Sequence, residues 1–377
     1  METWVLFLLF SPVYIPLVIS LAIFFNSERK NYAKKTLSLV LFNISVLFFG
    51  LYFFLTGQYE FYSKILTFNV LSLLLVYPSI YIYIRQLIEQ KYAVKKMAVH
   101  LIPVVFILLQ TVAYFFMLNS QDREMFVKDY RFNPAWNNPA IVFIFFCRVF
   151  NILVLFFQIF YYGIKITLIL KKYNSTIHNY FSNTEGISLN SIKILNFSLF
   201  IGSIASIAFY SINPVKVFGN YIVLIIPLAI ISITIWLFGI VGLRQKMLPA
   251  NLPVVLETND TNQLVPNKEL YHRLISYFDK EKPYLNPELK IDDLIGDLGT
   301  NRTHLSNAIN LNSGKNFNKF VNDYRIEFAK QYMRENKNNS LKEDVAYKSG
   351  FGSIRTFERN FKEIVGESYS QYITSVQ

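Results

Sequence analysis

Along the first 249 residues, apolar side chains run in long blocks broken by short polar clusters. Crossing a bilayer as a helix takes roughly 20 apolar residues at about 1.5 Å of rise each. Seven blocks are long enough, near 3–25, 36–56, 64–84, 97–118, 140–170, 192–212 and 221–243. Phe, Leu, Ile and Val fill them with little polar face, as contact with lipid permits. Backbone in hydrocarbon must satisfy its own hydrogen bonds, so each block is expected to be helical. The first block does not read as a cleaved leader. Glu2 stands where a basic start belongs, and Phe24-Phe25-Asn26 where small residues would mark a cleavage site.

After Pro249 the pattern changes. Residues 247–267 place Pro249, Pro253 and Pro266 among Asn and Asp, the composition of a linker. Asn267 then opens a helical pattern with Leu270, Leu274, Ile275 and Phe278 on one face. That stripe serves either to pair two chains or to pack onto the next domain. A break follows at Pro283. Asn286 and Pro287 are then set as the cap and first position of another helix.

Beyond that point the sequence repeats itself. "GKNFNKFV" (Gly314 to Val321) matches "GESYSQYI" (Gly366 to Ile373) at an offset of 52, which also pairs Leu305 with Phe357 and Ile309 with Phe361. Each unit reads as helix, glycine-containing turn, helix, glycine stop. In the first, Ile291, Leu294, Ile295 and Leu298 face inward from a supporting helix, and Gly299-Thr300-Asn301 makes the turn. Asn301 caps the next helix, whose inner face is Leu305, Ala308 and Ile309. In the second, Ser340 and Glu343 form a capping box, and Val345 and Ala346 face the core. Gly350-Phe351-Gly352 turns, and Ser353 caps a helix anchored by Phe357 and Phe361. A helix over roughly 316–336 joins the units, with Phe317, Phe320, Val321, Tyr324, Phe328 and Tyr332 as its apolar positions. This is the helix-turn-helix pattern, whose second helix enters the major groove. Two such helices about 34 Å apart reach successive turns of that groove.

Charge sharpens the division. The chain of 377 residues carries +12, yet only 16% of it is charged and 53% is hydrophobic. A soluble domain is about 25% charged. The whole excess lies before residue 250, where 20 Lys and Arg face 8 Asp and Glu; the remainder carries 17 of each. Leaving out Lys165, Lys193 and Arg148, the basic residues assigned to alternate sides of the seven blocks divide 12 against 5. The richer side holds Arg29, Lys30, Lys34, Lys35, Arg85, Lys91, Lys95, Lys96, Lys171, Lys172, Arg244 and Lys246. The positive-inside bias therefore puts the N-terminus outside and the C-terminal half in the cytoplasm. Within that half, residues 250–297 are net −4 and residues 298–377 net +4. Only the repeated segment has the basic balance that suits nucleic acid.

Chemical motifs are sparse. Cys147 stands alone, and His100, His178, His272 and His304 are scattered, so neither a disulfide framework nor a metal site is expected. No phosphate loop and no nucleophile elbow occurs, which lowers the expectation of an enzyme. No cofactor is expected. Arg148 is the candidate ligand or sensor residue, because a charge inside an apolar block is costly. Its plainer role is to reach the outer interface, with 149–170 as the true span. The longest outer loop, 119–139, carries Phe126, Tyr130, Phe132 and Trp136, either as a ligand lid or as interfacial aromatics.

Residues 285–377 resemble the C-terminal domain of AraC/XylS-type transcription regulators. The carriers are "DDLIGDLGTNRTHLS", "YRIEFAKQYM" and "VAYKSGFGSIRTFERNFKEIVGESYSQYI". The sequence departs from the family pattern at Lys290, Asn307 and Ile354. The resemblance implies a bihelical fold with two helix-turn-helix units and sequence-specific binding to double-stranded DNA. Candidate DNA contacts are the solvent-facing positions and caps that open each second helix. They are Asn301, Arg302, Thr303, His304 and Asn307, and Ser353, Ile354, Arg355, Thr356 and Arg359. Arg pairs with guanine and Asn with adenine, Ile354 suits a thymine methyl, and helix starts accept phosphate. Arg359 has a competing partner in Glu363, one turn on.

The expected protein is all-α. A seven-span bundle (1–246) in the cytoplasmic membrane is followed by a linker and connecting helix (247–284) and a double helix-turn-helix domain (285–377). Its expected function is a membrane-bound transcription regulator that answers an external or membrane-borne signal ligand, with a homodimer as the candidate assembly. The alternatives are a membrane transporter or enzyme with a regulatory tail, and a membrane-anchored interaction protein that does not bind DNA.

Overall fold

In the computed structural model the described residues are 3–28, 31–89, 94–185, 187–190, a few positions from 192 to 204, 222–244, 267–336 and 341–376. All regular elements among them are helices, apart from a single bridge between Phe181 and Lys290. The chain forms two units. One takes residues 1–170 and 189–252, the other 171–188 and 253–377.

The first unit contains α1 (Thr3–Asn26), α2 (Tyr32–Leu55), α3 (Tyr59–Glu89), α4 (Val94–Val99), α5 (Ile102–Met117) and α6 (Ser120–Met125). A π-helical turn (Phe126–Tyr130), most of α7 (Pro139–Tyr180) and α8 (Ile222–Arg244) complete it. Where every side chain is apolar, burial does not favour one helix neighbour over lipid, so small and polar residues set the contacts. Ser20 Oγ donates to the Ser38 carbonyl (2.8 Å) and Ser38 Oγ donates back to that of Ser20 (2.9 Å), tying α1 to α2. Asn69 Nδ2 of α3 donates to the Leu47 carbonyl of α2 (2.6 Å). Gly242 of α8 lies so close to α2 that a Cβ there would come within 2.1 Å of the Leu37 side chain. Large apolar residues face outward instead, including Phe116, Phe25 and Phe157. Such a surface needs an apolar covering.

Five of the described helices, not seven, have the length and hydropathy of a span: Thr3–Asn26, Tyr32–Leu55, Tyr59–Glu89, Met97–Met117 and Pro139–Tyr180. The seventh expected block is α8, whose described apolar stretch is the shorter Leu228–Leu243. The sixth, 192–212, falls mostly outside the described residues. A second difference concerns the fifth block. α7 does not stop near 170 but runs 42 residues to Tyr180, through Lys171 and Lys172. Tyr173, Ile177 and Tyr180, at helical spacing, are all buried.

The second unit holds α9 (Lys268–Glu281), a 3-10 turn (Pro283–Leu285), α10 (Asp292–Ile295), α11 (Arg302–Ser313) and α12 (Phe317–Glu335). Next come α13 (Lys342–Lys348), α14 (Ile354–Val365) and α15 (Tyr369–Val376). Of the expected linker 247–267, residues 247–266 lie outside the described residues, as does Ser340 of the expected capping box. Asn267 caps α9 as expected, accepting from the Leu270 amide at 2.9 Å. α9 packs onto the domain that follows. Phe278 meets the Phe320 and Tyr324 rings of α12 at 5.2 and 5.1 Å between centroids. No helix begins at Asn286-Pro287. Asn286 instead closes a turn by accepting from the Glu288 amide, and Lys290 is drawn into the bridge with Phe181. The supporting helix of the first repeat shrinks accordingly to Asp292–Ile295.

α12 is the beam of this unit. Phe317, Phe320 and Val321 near its start are buried, and Phe320 stacks with α9. Ile326, Ala329 and Met333 further on join Val345, Ala346, Phe351, Phe357, Phe361 and Tyr369 in one core. Gly350 is required where it stands. Its φ is +84°, and a Cβ would meet the Tyr284 carbonyl oxygen at 2.4 Å.

Candidate nucleic-acid interface

The two second helices of the repeat are built alike. α11 and α14 are each 12 residues long and begin at Arg302 and Ile354, which keeps the offset of 52. Asn301 caps the first by accepting from the His304 amide (2.9 Å), and Ser353 caps the second by accepting from the Thr356 amide (3.2 Å). Both stop at a glycine in the left-handed region, Gly314 (φ 69°) and Gly366 (φ 93°). Each helix turns its apolar residues inward: Leu305, Ala308 and Ile309 in one, Phe357 and Phe361 in the other. The opposite faces carry the candidate contacts.

Asn301, Thr303, His304, Arg355 and Arg359 are exposed, and Asn307, Ser353 and Ile354 are partly so. Arg359 is not taken up by Glu363, because that carboxylate pairs with Lys319 at 2.9 Å. Two candidates differ from expectation. Thr356 does not face solvent; it is buried, and its hydroxyl donates to the Glu185 carboxylate. Arg302 is held within its own unit. Its Nε and Nη2 donate to the two Asp292 carboxylate oxygens at 2.7 and 2.6 Å, and its guanidinium lies 4.6 Å from the Tyr180 ring centre. Burial alone would raise the Asp292 pKa, but the hydrogen bonds from Arg302 and then Tyr180 hold it below the ordinary carboxylate value.

Residues 180–185, which the sequence pattern left in a loop between spans, are part of this surface. Phe181 bridges Lys290, the Ser182 amide donates to the Leu289 carbonyl (3.1 Å), and the Ile291 amide donates to that of Tyr180 (3.0 Å). Asn318 Nδ2 donates to the Ser182 carbonyl (2.6 Å). Arg325, only 1% exposed, donates to the Tyr284 and Asn286 carbonyls (both 2.7 Å), Ser182 Oγ (3.0 Å) and Asn322 Oδ1 (3.2 Å). Burial lowers its pKa to about 10, and the ring of hydrogen-bond acceptors is what makes a buried cation tolerable. Glu185 then reaches the start of α14. Its Oε2 accepts from Ser353 Oγ (2.6 Å) and Thr356 Oγ1 (2.7 Å). Those two hydrogen bonds, Ser353 first, hold the carboxyl below its ordinary pKa, with Arg359 and Arg355 adding attraction. The stripe Tyr173, Ile177, Tyr180 was the available signal for this extension of α7. Nothing in the repeat announced Glu185.

Arg148 lies in the first unit. It lines a cleft with Arg131, Thr67, Gln110, Cys147 and Asn151, floored by Leu66, Ile107 and Ile144. Its guanidinium lies 5.5 Å from the ring centre of Phe132, at the level of the expected outer loop. Within that loop Phe126 is buried and Trp136 is exposed. No group of three or more His, Cys, Asp or Glu suited to a metal occurs among the described residues.

No solved structure matches the chain. Three Staphylococcus aureus proteins, each described as an uncharacterized HTH-type transcriptional regulator, are similar over 118 residues. One is 28% identical, and those of strains COL and N315 are 27% identical. Each match covers 31% of this chain and only 15% of the relative. A family model described as a helix-turn-helix domain matches residues 294–375, so the C-terminal segment that contains α11 and α14 is a helix-turn-helix domain of the AraC type.

Proposed function

We propose that the chain is a membrane-bound, sequence-specific DNA-binding transcription regulator, whose N-terminal helices sense an external or membrane-borne signal. The observation that carries this reading is the pair of equally capped 12-residue helices, 52 residues apart, on either side of the α12 beam. A helix-turn-helix domain implies DNA binding, and a paired one suits two successive stretches of major groove. Arg355, Arg359, His304, Thr303 and Asn307 are the side chains best set to reach bases or phosphates. Arg302 reaches DNA only by leaving Asp292, and in this reading it first positions the start of α11.

Five long apolar helices and the 12-to-5 division of basic residues support a polytopic chain in the cytoplasmic membrane, with an outside N-terminus and a cytoplasmic DNA-binding domain. Two copies on a paired site are the expected assembly. The cleft lined by Arg131, Arg148, Gln110 and Asn151 over an apolar floor is the proposed place for a signal ligand. A transporter or enzyme with a regulatory tail is the second reading, and it would use the same cleft. Loss of transport or turnover in Arg148→Ala, with DNA binding intact, would favour it.

Genome-wide mapping of bound DNA in the source cells tests the first reading. Discrete sites that disappear in the Arg355→Ala and Arg359→Ala variants are expected. A distribution identical in wild type and variants would overturn it. A reporter fused to the C-terminus tests the topology and is expected to report from the cytoplasm.

A further inference from the structure

The two ends of the 180–185 segment differ in how they are held. Phe181 and Ser182 are buried, and Ser182 is fixed by Asn318 and Arg325, which are themselves buried. Glu185 is exposed, and only its carboxylate reaches α14. It sits at the start of α14, an end of a helix that favours an anion, on the capping hydroxyl and the hydroxyl of the first turn. An anionic oxygen on Ser353 Oγ and Thr356 Oγ1 is the chemistry a backbone phosphate would present there. Thr356 is 6% exposed, and its hydroxyl donates to Glu185 Oε2 (2.7 Å) beside Ser353 Oγ (3.1 Å). At the first repeat, Tyr180 donates to Asp292, which in turn holds Arg302. Thus one short segment engages the opening turns of both recognition helices. The same segment directly follows α7, which runs unbroken from Pro139 and ends at Tyr180.

We propose that residues 180–185 are an intramolecular brake on DNA binding, with Glu185 as a phosphate mimic seated on α14 and Phe181-Ser182 as its fixed anchor. This rests on the DNA-binding reading above. DNA and Glu185 compete for the same hydroxyls, so the docked state lowers the apparent affinity by the fraction of time Glu185 is seated. A change in α7 that pulls on Tyr180 frees the start of α14 and with it Arg302. The signal would then act without any new contact to DNA.

The test uses the full-length chain in lipid nanodiscs and a duplex of random sequence at physiological salt. Glu185→Gln should bind several-fold more tightly than wild type. Glu363→Gln, which removes the same charge from the far end of the same helix, should bind as wild type does. Adding the duplex to wild type should also speed hydrogen exchange at the Glu185, Ile187 and Ser188 amides, which are bonded within the docked loop. Equal affinities for wild type and Glu185→Gln, or equal gains in both variants, overturn the brake. So does unchanged exchange in the loop on DNA binding, a measurement that needs no variant to fold. Failure of wild type and Glu185→Gln alike to bind any duplex removes the DNA reading itself, which keeps the two failures distinct.

Discussion

The two recognition helices share length, spacing, cap chemistry and glycine stop, yet their surroundings differ. α11 is covered by an added helix, α9, and its opening arginine is bound inside its own unit by Asp292. α14 is supported by an aromatic core of Phe351, Phe357, Phe361 and Tyr369, and its opening turn is covered by a carboxylate 168 residues upstream. A repeat specifies backbone geometry through periodic burial and caps. It does not specify the partners that close over each copy, because those come from sequence outside the repeat.

The contrast predicts unequal sensitivity. Phe361→Ala should cost about 3–5 kcal/mol, because it empties the middle of the second core. Hydrogen exchange in the full-length chain should then rise across 345–374 more than across 302–313. An even rise would mean that α12 couples the units into one cooperative body. Arg325→Met should be nearly as damaging, since each of the buried carbonyls it leaves unmatched costs about 1–3 kcal/mol. Its distinguishing mark is loss of protection at the Ser182 and Ile291 amides.

Smaller effects separate the two helix starts. Gly350→Ala should destabilise the second unit by about 1–3 kcal/mol through its left-handed backbone, with more from the clash at Tyr284. Asn301→Ala should cost about 1 kcal/mol, the usual worth of a cap. Ser353→Ala loses the same cap and also the seat of Glu185, so it alone should release the 183–188 loop in exchange measurements. The smallest effect is one of pH. Asp292 has a lowered folded-state pKa, so its pair with Arg302 contributes stability above the ordinary carboxylate pKa. That contribution is lost as pH falls through the lowered value. NMR of the Arg302 side chain should show its release in acid.

Much of this architecture was legible beforehand, for physical reasons that can be named. Apolar blocks of span length, the 52-residue offset, Asn267, Asn301 and Ser353 as caps, and Phe357 with Phe361 as anchors are local or periodic signals. Three features were not legible. Asn286-Pro287 carries the signature of a helix start, but a bridge from Phe181 claims Lys290 and leaves a turn. Arg325 breaks the apolar pattern of α12 because distant backbone carbonyls satisfy it. Thr356 reads as a surface residue until Glu185 is brought to it. Each depends on contacts across long stretches of chain, which periodicity does not encode.

The central claim is that α11 and α14 read DNA sequence. The most direct test is the affinity of the full-length chain for a duplex selected from its own genome, set against a random duplex. Arg355→Ala should weaken the selected duplex by about 1–3 kcal/mol and leave the random one nearly unchanged. Equal affinity for both duplexes in wild type, with the same loss for each in the variant, would contradict it.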